Sequence, residues 1–465
     1  MKRSNAMPAE KLNSNRMRSR RLWPCPAALG VALMLMGCGS MKQAGYDVPF
    51  AGTLFKATSN YEYEVGDPFI LAMSDGPLVH GHYSYPQVRK FPDGTLMIAW
   101  FTGNDVNENN VLSIDEKGDL VVRGSMLKSP AISMDNGLTW ETRLPACLTG
   151  LLYQAPGIYR MNSTMDPSLA QPIFGWTTLS DGTKLGFGRN VYRIQNLKGQ
   201  LPGNLVGIGA EWTPEGKMIG PFNVSVNAPD VFTPSSFALR IMHRGFEGPD
   251  GTLYLPAYCH YMLPYKNDPN GPRVAMILAS KDRGRSFDIY SIIATAKNIP
   301  WARDGAGEVM VLPVTDQEWI GLIRSNGTAP GPRPGVMGSQ NMLFVRSEDQ
   351  GKTWKHRMFN RSGVWPTLHR LSNGVVACSY GRPGNSIMFS EDDGKSWLKT
   401  ITLTPADVAT SGYVDFEEVS PGRILVAYDE REYIPEGSGI RFRELGNNVV
   451  YGRFIEIRKK DEANP

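Results

Sequence analysis

The sequence predicts an all-β protein, a six-bladed β-propeller of four-stranded antiparallel blades. Two observations point there. One eight-residue phrase is written four times, and six turn signals each precede an apolar strand. The phrase runs Ser133-Met-Asp-Asn-Gly-Leu-Thr-Trp140, Ser280-Lys-Asp-Arg-Gly-Arg-Ser-Phe287, Ser347-Glu-Asp-Gln-Gly-Lys-Thr-Trp354 and Ser390-Glu-Asp-Asp-Gly-Lys-Ser-Trp397. Repetition at intervals of tens of residues is the mark of a repeat architecture. Each element has a mechanical reason. The Asp is expected to accept from backbone N–H two residues on, as in an Asx-turn. The Gly supplies a positive φ, and the aromatic plugs the turn onto the sheet beneath.

Turn signals recur at Asp93-Gly94, Asp181-Gly182, Asp250-Gly251, Asn373-Gly374 and Pro421-Gly422. Strands such as Thr95–Trp100, Thr252–Tyr258 and Arg423–Tyr428 follow them. A weaker sixth turn lies between Leu312-Pro313 and Glu318-Trp319. No helical period of useful length competes. Four-stranded units repeated around an axis protect their edges radially. Such a fold places its ligand site where inner strands converge, so site residues should come from several blades.

The 465 residues are 41% hydrophobic and 20% charged, with 49 Gly and 34 Pro, an ordinary turn-rich β composition. The N-terminus differs. Arg16, Arg18, Arg20 and Arg21 precede the apolar run Ala27–Met36, then Gly37-Cys38. A basic region, a short apolar stretch and small residues predict a secretory signal over 1–37, because the stretch is too short to span a bilayer. Leu35-Met36-Gly37-Cys38 resembles a bacterial lipobox, which would make Cys38 a lipidated residue. The expected organisation is then a lipoprotein signal peptide at 1–37, a tether at 38–60, the propeller at 61–458 and a polar tail at 459–465. The expected location is the bacterial cell envelope, at the outer membrane or in the periplasm, with the membrane engaged through the lipid. Residues 1–37 hold seven of the 49 Lys/Arg and one of the 45 Asp/Glu. That leaves 42 basic and 44 acidic residues, near −2, with no basic face for nucleic acid. Cys147, Cys259 and Cys378 show no paired spacing, so neither a disulfide framework nor a metal or other cofactor is expected.

An ordered set of polar residues lies among the repeats: Glu308 in Gly-Ala-Gly-Glu-Val-Met, Arg324 in Ile-Gly-Leu-Ile-Arg-Ser-Asn, Arg382 in Ser-Tyr-Gly-Arg-Pro-Gly, and Tyr413 in Ser-Gly-Tyr-Val-Asp-Phe. With the Asp boxes, this order resembles the sialidase superfamily of six-bladed propellers over most of residues 61–458. The resemblance implies roles. Tyr413 would be the nucleophile, since a neutral group avoids repulsion by a carboxylate on the anomeric carbon, and Glu308 would take its proton. Arg324 and Arg382 would clamp the substrate carboxylate. Asp105, in Phe-Thr-Gly-Asn-Asp-Val, would be the acid/base on the leaving oxygen.

The first blade departs from the family pattern, which has an Arg where this chain has Ser84 in Tyr83-Ser-Tyr-Pro-Gln-Val88. Arg89 is not expected to substitute, because residues 84 and 89 of an extended strand face opposite sides. His82 shares a face with Ser84 and His80, and is a candidate pH-dependent anion partner. Arg189, Arg244 and His260 are further candidates to line the pocket, Arg244 for substrate binding. The sequence leaves three functions open. One is an exported, retaining exo-glycosidase of the sialidase type acting on an acidic terminal sugar of a glycan. The second is a lyase on uronic-acid polymers using the Tyr258/His260/Tyr261 cluster. The third is a noncatalytic glycan-binding propeller.

Overall fold

A computed structural model describes residues 59–73, 82–103, 111–114, 120–123, 131–142, 175–188, 190–191, 205–228, 239–242, 244–260, 272–302, 304–327, 329–332, 336–398, 400–431, 433–435, 442–444 and 449–460. All lie in the compact unit Asp47–Pro465. Among them there is no α-helix, and the elements are strands apart from the 3-10 turn Ala296–Asn298.

The strands form antiparallel sheets in which sequence neighbours are sheet neighbours. His82–Lys90, Leu96–Gly103, Ala131–Ser133 and Glu141–Thr142 make one four-stranded sheet. Ala306–Pro313, Trp319–Ser325, Asn341–Ser347 and Lys355–Ser362 make another, and Val364–Arg370, Val376–Gly381, Asn385–Ser390 and Ile401–Thr404 a third. A ten-stranded sheet contains two antiparallel runs, Gly175–Thr178 through Met218–Asn227 and Leu239–Ile241 through Ser286–Ala294. They are joined by parallel pairing of Ser225–Asn227 with Ser286–Asp288. This arrangement is propeller-like. In the remaining sheet, Asp415–Ser420, Arg423–Glu430 and Val449–Lys459 take Tyr61–Val65 as their next strand, with Tyr61 opposite Lys459. The first and last described strands are thus hydrogen-bonded in one sheet.

All six turn signals sit between the first two strands of an antiparallel pair. In four of them the Asx geometry expected of the repeated phrase is found: Asp93, Asp181, Asp250 and Asn373 accept from the N–H two residues on, at 2.9–3.1 Å. The phrase itself folds differently. Asp135, Asp282, Asp349 and Asp392 each reach four residues on, to the N–H of Thr139, Ser286, Thr353 and Ser396 at 2.8–2.9 Å. The box Ser donates to the Asp and accepts from the Gly N–H, so one buried hydroxyl ties both halves of the turn. Two consecutive left-handed residues make this possible. Asn136, Arg283, Gln350 and Asp393 have φ of 57–62°, each followed by a positive-φ Gly. The side-chain hydroxyls of Thr139 and Thr353 are the chief reason the Asp135 and Asp349 carboxyls sit at about 2.

The boxes also bind one sheet to the next. A Cβ on Gly137 would lie 2.7 Å from the Phe454 ring, one on Gly284 2.6 Å from Phe187, and one on Gly394 2.7 Å from Ile320, each on a different sheet or antiparallel run. Trp354 donates to Ser291 Oγ across such a boundary at 3.3 Å. Gly351 instead faces Trp319 of its own sheet, within the aromatic cluster of Tyr254, Phe246 and Tyr290.

Gly351 and Gly374 separate backbone strain from packing. Both need positive φ, but a Cβ on Gly351 would meet the Trp319 ring at 2.2 Å, whereas one on Gly374 meets nothing within 4 Å. Gly374→Ala should cost about 1–2 kcal/mol, the left-handed penalty, and Gly351→Ala a further ~1–3 kcal/mol from overpacking. Equal losses in chemical denaturation would refute the packing role of the box glycine.

Candidate active site

Three inner strands from three sheets each break their regular pairing at the same level. The register slips between Ser84 and Gln87, between Ala306 and Val309, and between Val364 and Thr367. These are β-bulges, which re-aim side chains. In two of them an aromatic residue before a proline adopts positive φ, Tyr85 at 55° and Trp365 at 53°. The third bulge contains Gly307-Glu308, and a Cβ on Gly307 would strike the Asn326 amide at 2.1 Å.

The bulges converge on Tyr413, which lies just before the strand Asp415–Ser420. Trp365 stacks on the Tyr413 ring with centroids 4.7 Å apart, and Tyr85 meets it edge-on at 4.3 Å. The Tyr413 hydroxyl donates to Glu308 Oε1. The same carboxylate oxygen accepts from Arg324 Nη1 at 2.9 Å, and Oε2 accepts from the Trp365 N–H at 2.9 Å. Glu308 is 2% exposed and Tyr413 5%. A buried carboxylate is tolerable only when its lone pairs are used in this way. Burial works against the Arg324 charge, but the facing Glu308, Tyr413 and Tyr258 outweigh it and raise its pKa.

Arg382 reaches the same ring from the far side. Its guanidinium carbon lies 5.5 Å from the Tyr413 ring centroid, and its Nε donates to the Ser411 carbonyl at 2.7 Å. Gly412 is required there: its φ is +74°, and a Cβ would lie 2.2 Å from Arg382 Cγ. Behind Tyr413, Ser411 donates its hydroxyl to Asp429 and accepts from the Tyr413 N–H at 3.2 Å. Asp429 also takes the Ser411 N–H and Arg431 Nε, each at 2.9 Å.

Four of the residues singled out in the sequence are therefore brought together: Glu308, Tyr413, Arg324 and Arg382. Asp105, Cys38 and Arg189 lie outside the described residues, as do the side chains of His82 and His260. Arg244 lies elsewhere. It ion-pairs with Glu417 at 3.2 Å and donates to the Phe416 carbonyl. The strand-parity expectation for Arg89 fails because of the bulge. Position 84 pairs with Phe101 and Arg89 with Met97, four residues apart on the partner, so alternation does not carry across. Arg89 is nonetheless occupied elsewhere, donating to Asp415 Oδ2 and to the Val88 carbonyl, each at 2.6 Å. Sequence reasoning missed Tyr85 and Trp365, although an aromatic-Pro pair opening an apolar strand was a usable signal. Among the described residues no group of three or more His, Cys, Asp or Glu side chains is placed to hold a metal.

Four residues further along the inner strands, roughly 13 Å deeper, a second polar layer gathers Arg89, Asp415, Arg244, Glu417, His369 and Lys184. Burial, then the positive charge of Arg244, depress the His369 pKa to about 4.

The chain is similar to a solved structure of a protein of unknown function from Dyadobacter fermentans, at 18% identity and a TM-score of 0.51, over 85% of this chain and 99% of that one. It is also similar to the Hadza microbial sialidase Hz136, at 16% identity and a TM-score of 0.47, over 82% of this chain and 66% of that one. A third similar structure is Trypanosoma rangeli sialidase in complex with the inhibitor DANA, at 13% identity and a TM-score of 0.44, over 81% and 55%. The chain thus spans between half and two thirds of the length of these two sialidase structures. At such identities a likeness is one of fold alone. Comparison with protein-family models finds no match, and neither does comparison with curated proteins.

His369 gives the fold a measurable acid sensitivity. It stays neutral in the folded chain down to about 4, whereas the unfolded side chain takes up a proton below about 6.5. Protonation therefore favours the unfolded state as pH falls from 6.5 toward 4, and costs nothing above that window. The melting temperature should drop across it in the wild type and less steeply in His369→Asn. Parallel slopes would contradict the assignment.

Proposed function

We propose that this protein is a six-bladed propeller glycosidase of the sialidase type, acting with retention on an acidic terminal sugar of a glycan. The observation that carries the reading is the Tyr413 hydroxyl donating to Glu308 Oε1 while Arg324 holds the same carboxylate. That is the geometry of a nucleophile paired with its base. In the proposed reaction Tyr413 Oη attacks the anomeric carbon as Glu308 takes its proton. The glycosidic C–O bond breaks, and the leaving oxygen takes a proton from a general acid, the role proposed for Asp105. Water then attacks the anomeric carbon and gives its proton to the carboxylate left on Asp105, while the bond from that carbon to Tyr413 Oη breaks and Glu308 returns the proton to Tyr413. Arg324 and Arg382 are the proposed partners of the substrate carboxylate. A neutral nucleophile flanked by two guanidiniums suits an anionic sugar, which would repel a carboxylate nucleophile. Export and attachment through a lipid at Cys38 belong to the same proposal.

Release of aryl alcohol from a panel of aryl sialosides and other acidic aryl glycosides tests this. Tyr413→Phe should lower kcat by at least about 10³-fold, and Arg324→Lys should raise KM by about tenfold, because Lys cannot reproduce the planar fork. Undiminished turnover in Tyr413→Phe would remove it from the chemistry. Ultraviolet-absorbing unsaturated products would replace hydrolysis with elimination.

A further inference from the structure

A second group of guanidiniums stands beside this site, on residues to which neither the repeats nor the proposed reaction assigns a role. Arg240 lies on the short strand Leu239–Ile241, directly opposite Tyr258, and its Nη1 donates to the Tyr258 hydroxyl at 3.1 Å. Arg273 opens the strand Arg273–Ser280 opposite position 260, two residues beyond Tyr258. Cross-strand partners share a face, as do alternate residues of one strand. The register therefore puts Arg240, Tyr258 and Arg273 on one face of the sheet. Arg273 then leaves its own sheet, and its Nη1 donates to Asn326 Oδ1 at 2.6 Å. Asn326 is two residues past Arg324, and its amide donates to the Gly305 carbonyl at 3.3 Å. Arg240 is thus held on Tyr258, whose charge also bears on Arg324, and Arg273 is tied through Asn326 to the strand pair that carries Arg324 and Glu308. Both arginines are partly exposed. Burial presses the Arg273 pKa down most, and the charges of Arg324 and Arg240 act the same way, against Tyr258 and Glu308. The three guanidiniums therefore feel one another, and an anion among them would relieve the repulsion.

We propose that Arg240 and Arg273, seated on Tyr258 and Asn326, form a second anion subsite for a sulfate or phosphate ester on the sugar whose carboxylate meets Arg324 and Arg382. The subsite rests on the reading of Tyr413 and Glu308 as the reacting pair, and it makes the preferred substrate a doubly anionic sugar. Tetrahedral oxyanions suit it because two guanidinium forks approaching from different strands can each give paired donors to different oxygens.

Calorimetric titration of the full chain with inorganic sulfate, and separately with inorganic phosphate, at constant ionic strength tests the subsite without any turnover. Saturable binding is expected in the wild type and unchanged in Tyr413→Phe. In Arg240→Gln/Arg273→Gln it should weaken by about tenfold or more, with the single variants Arg240→Lys and Arg273→Lys intermediate if the double variant does not fold. The tighter of the two anions identifies the ester. On aryl glycosides, the double variant should raise KM about tenfold for the substrate carrying that ester and leave the unesterified one unchanged. Loss of binding in Arg324→Gln with full binding in Arg240→Gln/Arg273→Gln would overturn the proposal, as would no saturable binding. Sulfate binding that survives alongside undiminished turnover in Tyr413→Phe would instead refute only the reacting pair.

Discussion

The carboxylate of Glu308 is the point on which the site's geometry depends. Ionised, it is too costly to bury alone, and the cost is offset only by donors held in place. Those donors come from different parts of the fold: Arg324 from the neighbouring strand, the Trp365 N–H from the next sheet and the Tyr413 hydroxyl from the segment before Asp415–Ser420. The Trp365 and Tyr413 contacts fix the sheet of Glu308 against other parts of the fold, while the Arg324 contact braces it from within. Removing one would leave a buried acceptor unsatisfied, which costs more than the hydrogen bond itself contributes. The site is therefore also a joint in the fold.

Bulges make that joint possible. A regular inner strand alternates its side chains between faces and presents only every second residue to a neighbour. The extra residue at Tyr85-Pro86, Gly307-Glu308 and Trp365-Pro366 breaks the alternation where the strands reach the site, freeing Glu308 and turning two rings onto Tyr413. Beyond the bulges the strands return to regular pairing and carry the deeper layer of Arg89, His369 and Glu417. The box turns, with their own left-handed residues, lock neighbouring sheets together around it.

What was legible in the sequence follows from how local each signal is. The box turns and the Asp-Gly turns are set by side chains within four residues, so their positions could be read directly, although the reach of the box Asp was misjudged. The order of Glu308, Arg324, Arg382 and Tyr413 could be read through its resemblance to the sialidase pattern, with the turns serving to place each along the chain. Parity across His82–Lys90 could not be read, since one inserted residue reverses it. Arg240 and Arg273 were missed because cross-strand register places them, not sequence spacing: 33 positions separate them, and a three-residue strand with no periodicity carries the first. The pairing of Tyr61–Val65 with the C-terminal strand was equally hidden. Its alternation marks a strand, but nothing within it names Val449–Lys459 as the partner.

Charge at the site runs against the balance over residues 38–465. Beyond residue 37 the acidic residues slightly outnumber the basic ones, near −2. Yet Arg324 and Arg382 contact the Glu308–Tyr413 pair, and Arg273 lies within electrostatic reach of Arg324, Arg240 and Glu308. Attraction of an anion must then be a local field, focused by partly buried walls, and not a property of net charge. Such a field has short range at physiological salt, about one Debye length of 8 Å, so on the proposed reading it would discriminate among anions already at the mouth of the site more than gather them from solution. On the proposed reading it also accounts for a phenol at position 413. A second carboxylate in place of Tyr413 would compete with Glu308 for Arg324, whereas the neutral phenol leaves that ion pair intact and donates its own hydroxyl to Glu308.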